Sequence, residues 1–196
     1  QDTLVVFISD NGPWQLYGDW GGSSAPLRDG KATAFEGGFR VPCIMWWPGT
    51  IPAGIVSEEF ITGLDLYPTF AKIAGAKIPE DHIIDGKDIS ILLEDPYAKS
   101  PREIFYYYFE KELHAVRKGR WKLHLPHPYY KVIKKGRGGE GGELKIAHIG
   151  LSLFDLENDI SESNNVADEN PDIVASMLEL AELARAKLGD SLVDSQ

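Results

Sequence analysis

Cysteine is almost missing from this chain: Cys43 is the one example among 196 residues. An internal disulfide is therefore excluded, and the redox compartment is left open. No apolar run approaches the ~20 residues that span a bilayer, which excludes a membrane-crossing helix. No Asn-x-Ser/Thr sequon occurs, which favours a bacterial over a lysosomal source. Positive charge is in deficit, with 20 Lys and Arg against 30 Asp and Glu and a formal net charge of −10, so a general nucleic-acid binder is excluded. The five histidines have no spacing that suggests a metal site. What is present is ordinary globular material, 43% hydrophobic. The length suits one domain with a sizeable core, or a partial domain plus a small one.

Against this background one run stands out, Leu4-Val5-Val6-Phe7-Ile8, ending on Ser9-Asp10-Asn11-Gly12. An unbroken apolar run rich in β-branched residues reads as a strand covered on both faces, as in a parallel α/β sheet. Such sheets bind ligands at the carboxyl ends of their strands, where Asp10 and Asn11 fall. Neighbours in a regular strand point to opposite faces, so both serve one ion only where the strand has broken, and Gly12-Pro13 supplies that break. A carboxylate and an amide carbonyl are hard oxygen donors that suit Ca²⁺, with Mg²⁺ as the alternative, over zinc or copper. On its own, Asp-Asn-Gly reads first as a plain turn. Further on, Lys31 follows Gly30 and precedes Gly37-Gly38, glycines that let a backbone approach a ligand closely. A single lysine is by default a solvated surface charge.

The whole string from Gly30 through Glu36-Gly37-Gly38-Phe39-Arg40-Val41-Pro42, with Asp-Asn upstream of it, closely resembles the type I, formylglycine-dependent sulfatases, which are arylsulfatase-like members of the alkaline phosphatase superfamily. Thr62-Gly63-Leu64-Asp65-Leu66-Tyr67-Pro68-Thr69, Ile73-Ala74-Gly75, Asp85-Gly86-Lys87-Asp88-Ile89, the stretch from Ala115 to His124 and that from Leu153 to Asp159 resemble later family segments in the same order. The resemblance implies that Asp10 and Asn11 bind the active-site calcium. It implies that Lys31 contacts the sulfate as a catalytic and substrate-binding residue. The implied reaction is hydrolysis of a sulfate ester on a small molecule or, more in keeping with the family, a sulfated glycan. For Glu36 and Arg40 the expectation is a structural ion pair or loop clamp. Ile160 stands where the family often has proline, a difference that touches a turn and not the chemistry.

One departure matters more. The family's nucleophile is a formylglycine made from the cysteine or serine of a Cys-x-Pro-x-Arg segment, and this sequence contains no such segment. Cys43 lies in an apolar run where a thiol behaves as a small hydrophobe. Asp10 and Asn11 are also too few for the roughly six to eight oxygens that Ca²⁺ takes. The sequence is thus expected to be the C-terminal portion of a larger sulfatase, beginning at Gln1-Asp2-Thr3 without an initiator methionine. The formylglycine would lie upstream, the N-terminal remainder would be its partner, and the chain alone would be inactive. An extracytoplasmic setting is expected, periplasmic, secreted or lysosomal, with no membrane or nucleic-acid partner. The rivals are a phosphodiesterase or phosphonate hydrolase of the same superfamily, and a noncatalytic sulfatase-like protein that binds sulfated glycans.

The expected fold class is α/β. Residues 1–93 read as the C-terminal part of an alkaline-phosphatase-like parallel-sheet domain, and 94–196 as a small antiparallel sheet with a covering C-terminal helix. A Pro-rich linker joins them from Glu94 to Pro101. Strands are expected at 4–8, 41–46, 104–109 and 151–155, with a hairpin pairing 113–116 and 121–125 about Lys118-Gly119. A helix over 66–74 has Asp65 as its N-cap and Gly75 past its end, and a second over 171–188 has Asn170 as cap. Between hairpin and last strand, the stretch from Pro126 to Glu143 is basic, aromatic and then glycine-rich. It reads as a mobile loop, or as a holder of an anionic glycan through Tyr129, Tyr130, Lys131, Lys134, Lys135 and Arg137. His124 reads either as an ordinary surface or core group or as a residue lining the substrate pocket.

Overall fold

The structure, a computed structural model, describes residues 2–194. Its strands are β1 (Val5–Ile8), β2 (Cys43–Trp46), β3 (Ile104–Phe109), β4 (Glu112–Lys118), β5 (Trp121–His124), β6 (His127–Lys134), β7 (Glu143–Ile149) and β8 (Ser152–Asp155). Its α-helices are α1 (Glu36–Phe39), α2 (Leu66–Ile73), α3 (Ile91–Glu94), α4 (Pro171–Leu188) and α5 (Ser191–Asp194), with 3-10 turns at Gln15–Trp20 and Gly63–Asp65. The chain divides into two compact units, one of residues 1–10 and 42–103, the other of 11–41 and 104–196. The division departs from the expected one at residue 93, because the Lys31 loop belongs with the C-terminal sheet.

In the first unit β1 and β2 pair antiparallel, Val5 opposite Trp46 and Ile8 opposite Cys43. Their apolar side chains are open in this chain: Phe7 is 69% exposed, Ile44 62% and Trp46 60%. The helix expected over 66–74 is present as α2 and ends where Gly75 turns to φ +66°, donating to the Lys72 carbonyl at 3.0 Å. Asp65 does not cap it as expected. Its carboxylate instead accepts from the Thr62 and Lys87 amides at 2.7 Å each and from the Arg102 Nε at 2.9 Å, fully buried. The Arg102 Nη2 closes the same pair. A short polar side chain beside several donors satisfies the nearest ones, and here those lie ahead of the helix.

In the second unit β3-β4-β5-β8 form one antiparallel sheet. Strand periodicity gives it two unlike faces. Val116, Leu123 and Leu153 turn to one side and make the main core with Met177, Ala181 and Ala184 of α4. Alternate residues turn to the other side, where Tyr107 and Ala115 pack with Ala34 of the Lys31 loop. Helix α4 keeps its expected bounds, with Pro171 in the first turn and Gly189 past the end at φ +80°. Asn170 holds the cap position, but its amide donates back to the Val166 carbonyl at 2.9 Å. The last strand and the first hairpin fall where expected. The stretch read as a mobile loop instead forms a long antiparallel ribbon, β6 with β7, running from His127 opposite Ile149 to Lys134 opposite Glu143.

Candidate functional site

Glycines bring two segments of the sequence motif together. The Gly12 amide donates to the Gly38 carbonyl at 2.9 Å, and a Cβ on Gly12 would stand 1.8 Å from the Gly37 carbonyl oxygen. Only a residue without a side chain permits that approach. The Lys31 amide donates to the Pro13 carbonyl at 3.0 Å, so the turn after Asn11 is stitched to the Lys31 loop at two points. The loop also closes on itself, Gly37 N–H to the Arg28 carbonyl at 2.9 Å and the Thr33 hydroxyl to the Gly30 carbonyl at 2.8 Å. Lys31 is exposed, with its ammonium 5.5 Å from the Trp14 ring centre, within cation–π range. Asn11 is half-buried at the start of this unit. Asp10 is exposed at the end of the preceding segment of chain, after β1.

Beneath the loop lies a buried ionic knot. Glu36 is 1% exposed, and Lys122, His124 and Glu162 are fully enclosed. The Lys122 ammonium donates to Glu36 Oε1 at 2.9 Å and stands 3.0 Å from Glu162 Oε1. His124 Nε2 meets the same Glu162 oxygen at 3.0 Å, and Glu162 Oε2 accepts the Glu36 amide at 2.6 Å. The Tyr107 hydroxyl donates to Glu36 Oε1 at 3.1 Å, and Arg117 Nη1 pairs with Glu36 Oε2 at 3.5 Å. Burial pushes the Glu36 carboxyl up, but Lys122 and Arg117 more than offset it and hold the pKa below the ordinary value. Burial raises the Tyr107 phenol well above its usual range, with the Glu36 charge adding to it. The ion pair expected for Glu36 is thus present.

His124 sits inside this knot rather than on an open surface. Its ring stacks on Phe35 at 4.7 Å and its Nδ1 faces His127 Nε2 at 3.3 Å, while His127 stacks on His114 at 3.8 Å. Burial, with Lys122 and Arg28 nearby, drives the His124 pKa well below the usual imidazole value. His127 is lowered by burial to about 3, and His114 is lowered for the same reason. All three rings are neutral near pH 7.

The ribbon carries Lys131 and Arg137 at its exposed surface. Lys131 stands directly opposite Lys145, and its charge is among those acting on Asp29 of the Lys31 loop. The tip is fixed, not loose. The amides of Gly136 and Gly142 both donate to the Leu16 carbonyl, at 2.9 and 2.8 Å, and a Cβ on Gly18 would lie 1.8 Å from the Gly136 oxygen.

Comparison with known proteins shows the family. The family described as N-sulphoglucosamine sulphohydrolase, C-terminal, matches residues 29–187. The chain belongs to this sulfatase family. It is 36% identical to human arylsulfatase A over 199 residues, 96% of this chain and 38% of that protein. The crystal structure of the PsFucS1 sulfatase from Pseudoalteromonas sp. superposes with a TM-score of 0.79 at 26% identity, covering 93% of this chain and 36% of that one. That of Ps i-CgsB in complex with k-i-k-neocarrahexaose gives 0.67 at 32% identity, covering 96% and 38%. The chain therefore spans under two fifths of the length of these relatives, and the fold is the alkaline-phosphatase-like one expected.

For a sulfatase sequence, the expected residues divide by place. Lys31 and the Asn11 turn are brought together in the second unit, Lys131 and Arg137 lie on the ribbon, and His124 is enclosed. Lys122 and Glu162 are the functional candidates that sequence reasoning passed over. The signal for Lys122 was there: Lys122 and His124 alternate with the core residues Leu123 and Leu125, which puts both on the face away from α4. Glu162 carried no such signal, since it lies in an irregular turn. Among the described residues no group of three or more His, Cys, Asp or Glu forms a metal cluster, and no helix is long and apolar enough to cross a membrane.

Proposed function

We propose that this sulfatase chain supplies the sulfate-binding side of a sulfate ester hydrolase, with Lys31 holding the sulfuryl oxygens. The observation that carries this reading is the double backbone stitch of the Lys31 loop to the Gly12–Pro13 turn, which holds the main chain of an exposed lysine against the segment that directly follows Asn11. Lys31 would neutralise charge growing on the sulfuryl group and, near the leaving oxygen, can give it a proton. Asp10 and Asn11 fit Ca²⁺ by donor chemistry, as two of its oxygens and not as a full shell. The ion would stabilise negative charge on the same sulfuryl oxygens. The nucleophile and the remaining ligands would come from sequence outside these residues. An extracytoplasmic setting fits this reading.

A sulfated glycan is the substrate class best supported. Like charges directly opposite on a ribbon are unfavourable, so Lys131 facing Lys145 suits a surface that meets an anion. Arg137 lies farther along the same ribbon. The related Ps i-CgsB was solved with an oligosaccharide, k-i-k-neocarrahexaose. In the protein from its native source, Lys31→Ala should lower kcat for an aryl sulfate on the order of a hundredfold or more. Near-normal turnover would sink the assignment, and faster cleavage of a phosphodiester than of the sulfate would favour the phosphoesterase rival. Neutralising Lys131 and Arg137 together should raise KM for a sulfated polysaccharide and spare the aryl sulfate, whereas equal effects would refute the ribbon's role.

A further inference from the structure

Glu162 grips the Lys31 loop at both ends. Its backbone carbonyl accepts Arg28 Nη1 at 2.7 Å, at the start of the loop, and its carboxylate accepts the Glu36 amide at 2.6 Å, at the end. Lys31 lies between. These bonds join residues 126 and 134 positions apart, while the loop's other main-chain bonds are local, internal or running to Gly12–Pro13, Gln15 and Ser24. The grip is itself held rigidly. Lys122 and His124 of β5 fix the Glu162 carboxylate, and the Glu162 amide donates to the Asp159 carbonyl at 3.1 Å. The Asp159 carboxylate winds the same turn by accepting the amides of Ser163 and Asn164 at 2.8 and 2.7 Å. Glu162 pays for this with φ +49°, a backbone region that residues with a side chain seldom adopt.

We propose that Glu162 is a positioning residue, which with Lys122 as its counter-ion sets the place of Lys31 in the sulfate site. The proposal rests on the reading of Lys31 as a sulfate contact. It demands a carboxylate at residue 162, because both oxygens face donors: Oε2 the Glu36 N–H, Oε1 the Lys122 ammonium. The amide of Glu162→Gln must turn its NH₂ toward one of those donors, so even this isosteric change opens one side of the grip.

The test uses the isotope-labelled chain, amide exchange and a titration with inorganic sulfate followed at residues 30–33. In Glu162→Gln the Glu36 amide should exchange roughly ten- to a hundredfold faster, while Val116 and Leu123 of the sheet keep their protection. Sulfate affinity should fall roughly tenfold. Arg28→Ala, which cuts the other end and also removes the guanidinium from the Phe35 ring but leaves the Glu162 carboxylate its Lys122, His124 and Glu36 partners, should give the same pattern more weakly, and serves if Glu162→Gln fails to fold. Unchanged exchange at Glu36 overturns the grip. A freed loop with sulfate affinity intact overturns the positioning role, while Lys31→Ala still abolishing binding would leave the sulfate contact standing. If Lys31→Ala leaves affinity unaltered, or the chain takes no sulfate, the reading of Lys31 fails and exchange alone decides the grip.

Discussion

Each unit buries an ion pair, and the two are built differently. In the first, Asp65 faces one guanidinium, and two backbone amides take much of its remaining capacity, so the carboxylate would keep partners if Arg102 were lost. In the second, Glu36 and Glu162 share one ammonium, and Glu162 serves three donors, one from the Lys31 loop and two from β5, both elements far from it in sequence. A pair backed by main-chain amides is a local fastening. A knot whose members come from a loop, a strand and a turn couples those elements, and removing any one leaves the others charged in a dry interior.

Removing the shared cation should separate the two most sharply. Lys122→Ala takes the shared ammonium from two buried carboxylates, leaving Glu36 only Arg117 at 3.5 Å as a cation and Glu162 none among the described residues, and should cost about 3–5 kcal/mol in denaturant unfolding of the second unit. A loss under about 1 kcal/mol would mean the knot is far more hydrated than its burial implies. Arg102→Ala should cost less, about 2–3 kcal/mol, because the Thr62 and Lys87 amides still serve Asp65. If the two losses are equal, the backing amides contribute little.

Acid should tell the units apart in sequence. The three stacked histidines have folded pKa values below the unfolded imidazole value near 6.5, so the unfolded chain takes up protons first as the pH falls. Their contribution is therefore complete above about pH 6.5 and declines below it, until His127 itself titrates at about 3. Each such histidine contributes up to about 1.4 kcal/mol per pH unit to the slope. Asp65 is pushed up by burial but held down overall by Arg102 and the amides, so its contribution is complete above about 3.8 and fails only as pH falls through its lower folded value. Segment-resolved hydrogen exchange should show the second unit opening at a higher pH than the first. His127→Phe should flatten that dependence by one histidine's share, and an unchanged slope would refute it. The exposed Lys72–Asp88 pair gives the smallest effect: Lys72→Met should change stability by less than about 1 kcal/mol, the usual range for solvated pairs.

Periodicity carried most of the fold. The IFYYYF strand, the hairpin and the Pro171–Leu188 helix were legible because their apolar spacing matches the side they bury. Main-chain caps were less legible: Asp65 and Asn170 had the right chemistry at the right place, yet nearer donors or acceptors took their side chains. The ribbon escaped because glycine-rich composition suggests mobility, while nothing in composition reveals a backbone that needs glycine for close approach. At the site, Lys31 and Asn11 could be named from a motif. Lys122 was passed over although it alternates with core residues on its strand, and Glu162 lies 126 residues from the amide it holds, a pairing that only the folded chain displays.

The clip at the ribbon tip bears on where this polypeptide tolerates being rewritten. With two amides converging on the Leu16 carbonyl, a Cβ at Gly136 or Gly142 would come within 2.0 or 1.9 Å of another backbone oxygen, so those positions admit no graft and no change of length between them and their anchors. Gly141, between them, meets nothing within 4 Å. A substituted side chain there, such as a cysteine carrying a fluorescent label, has room to stand clear of the ribbon without altering its length, whereas the same substitution five residues earlier would unfasten it.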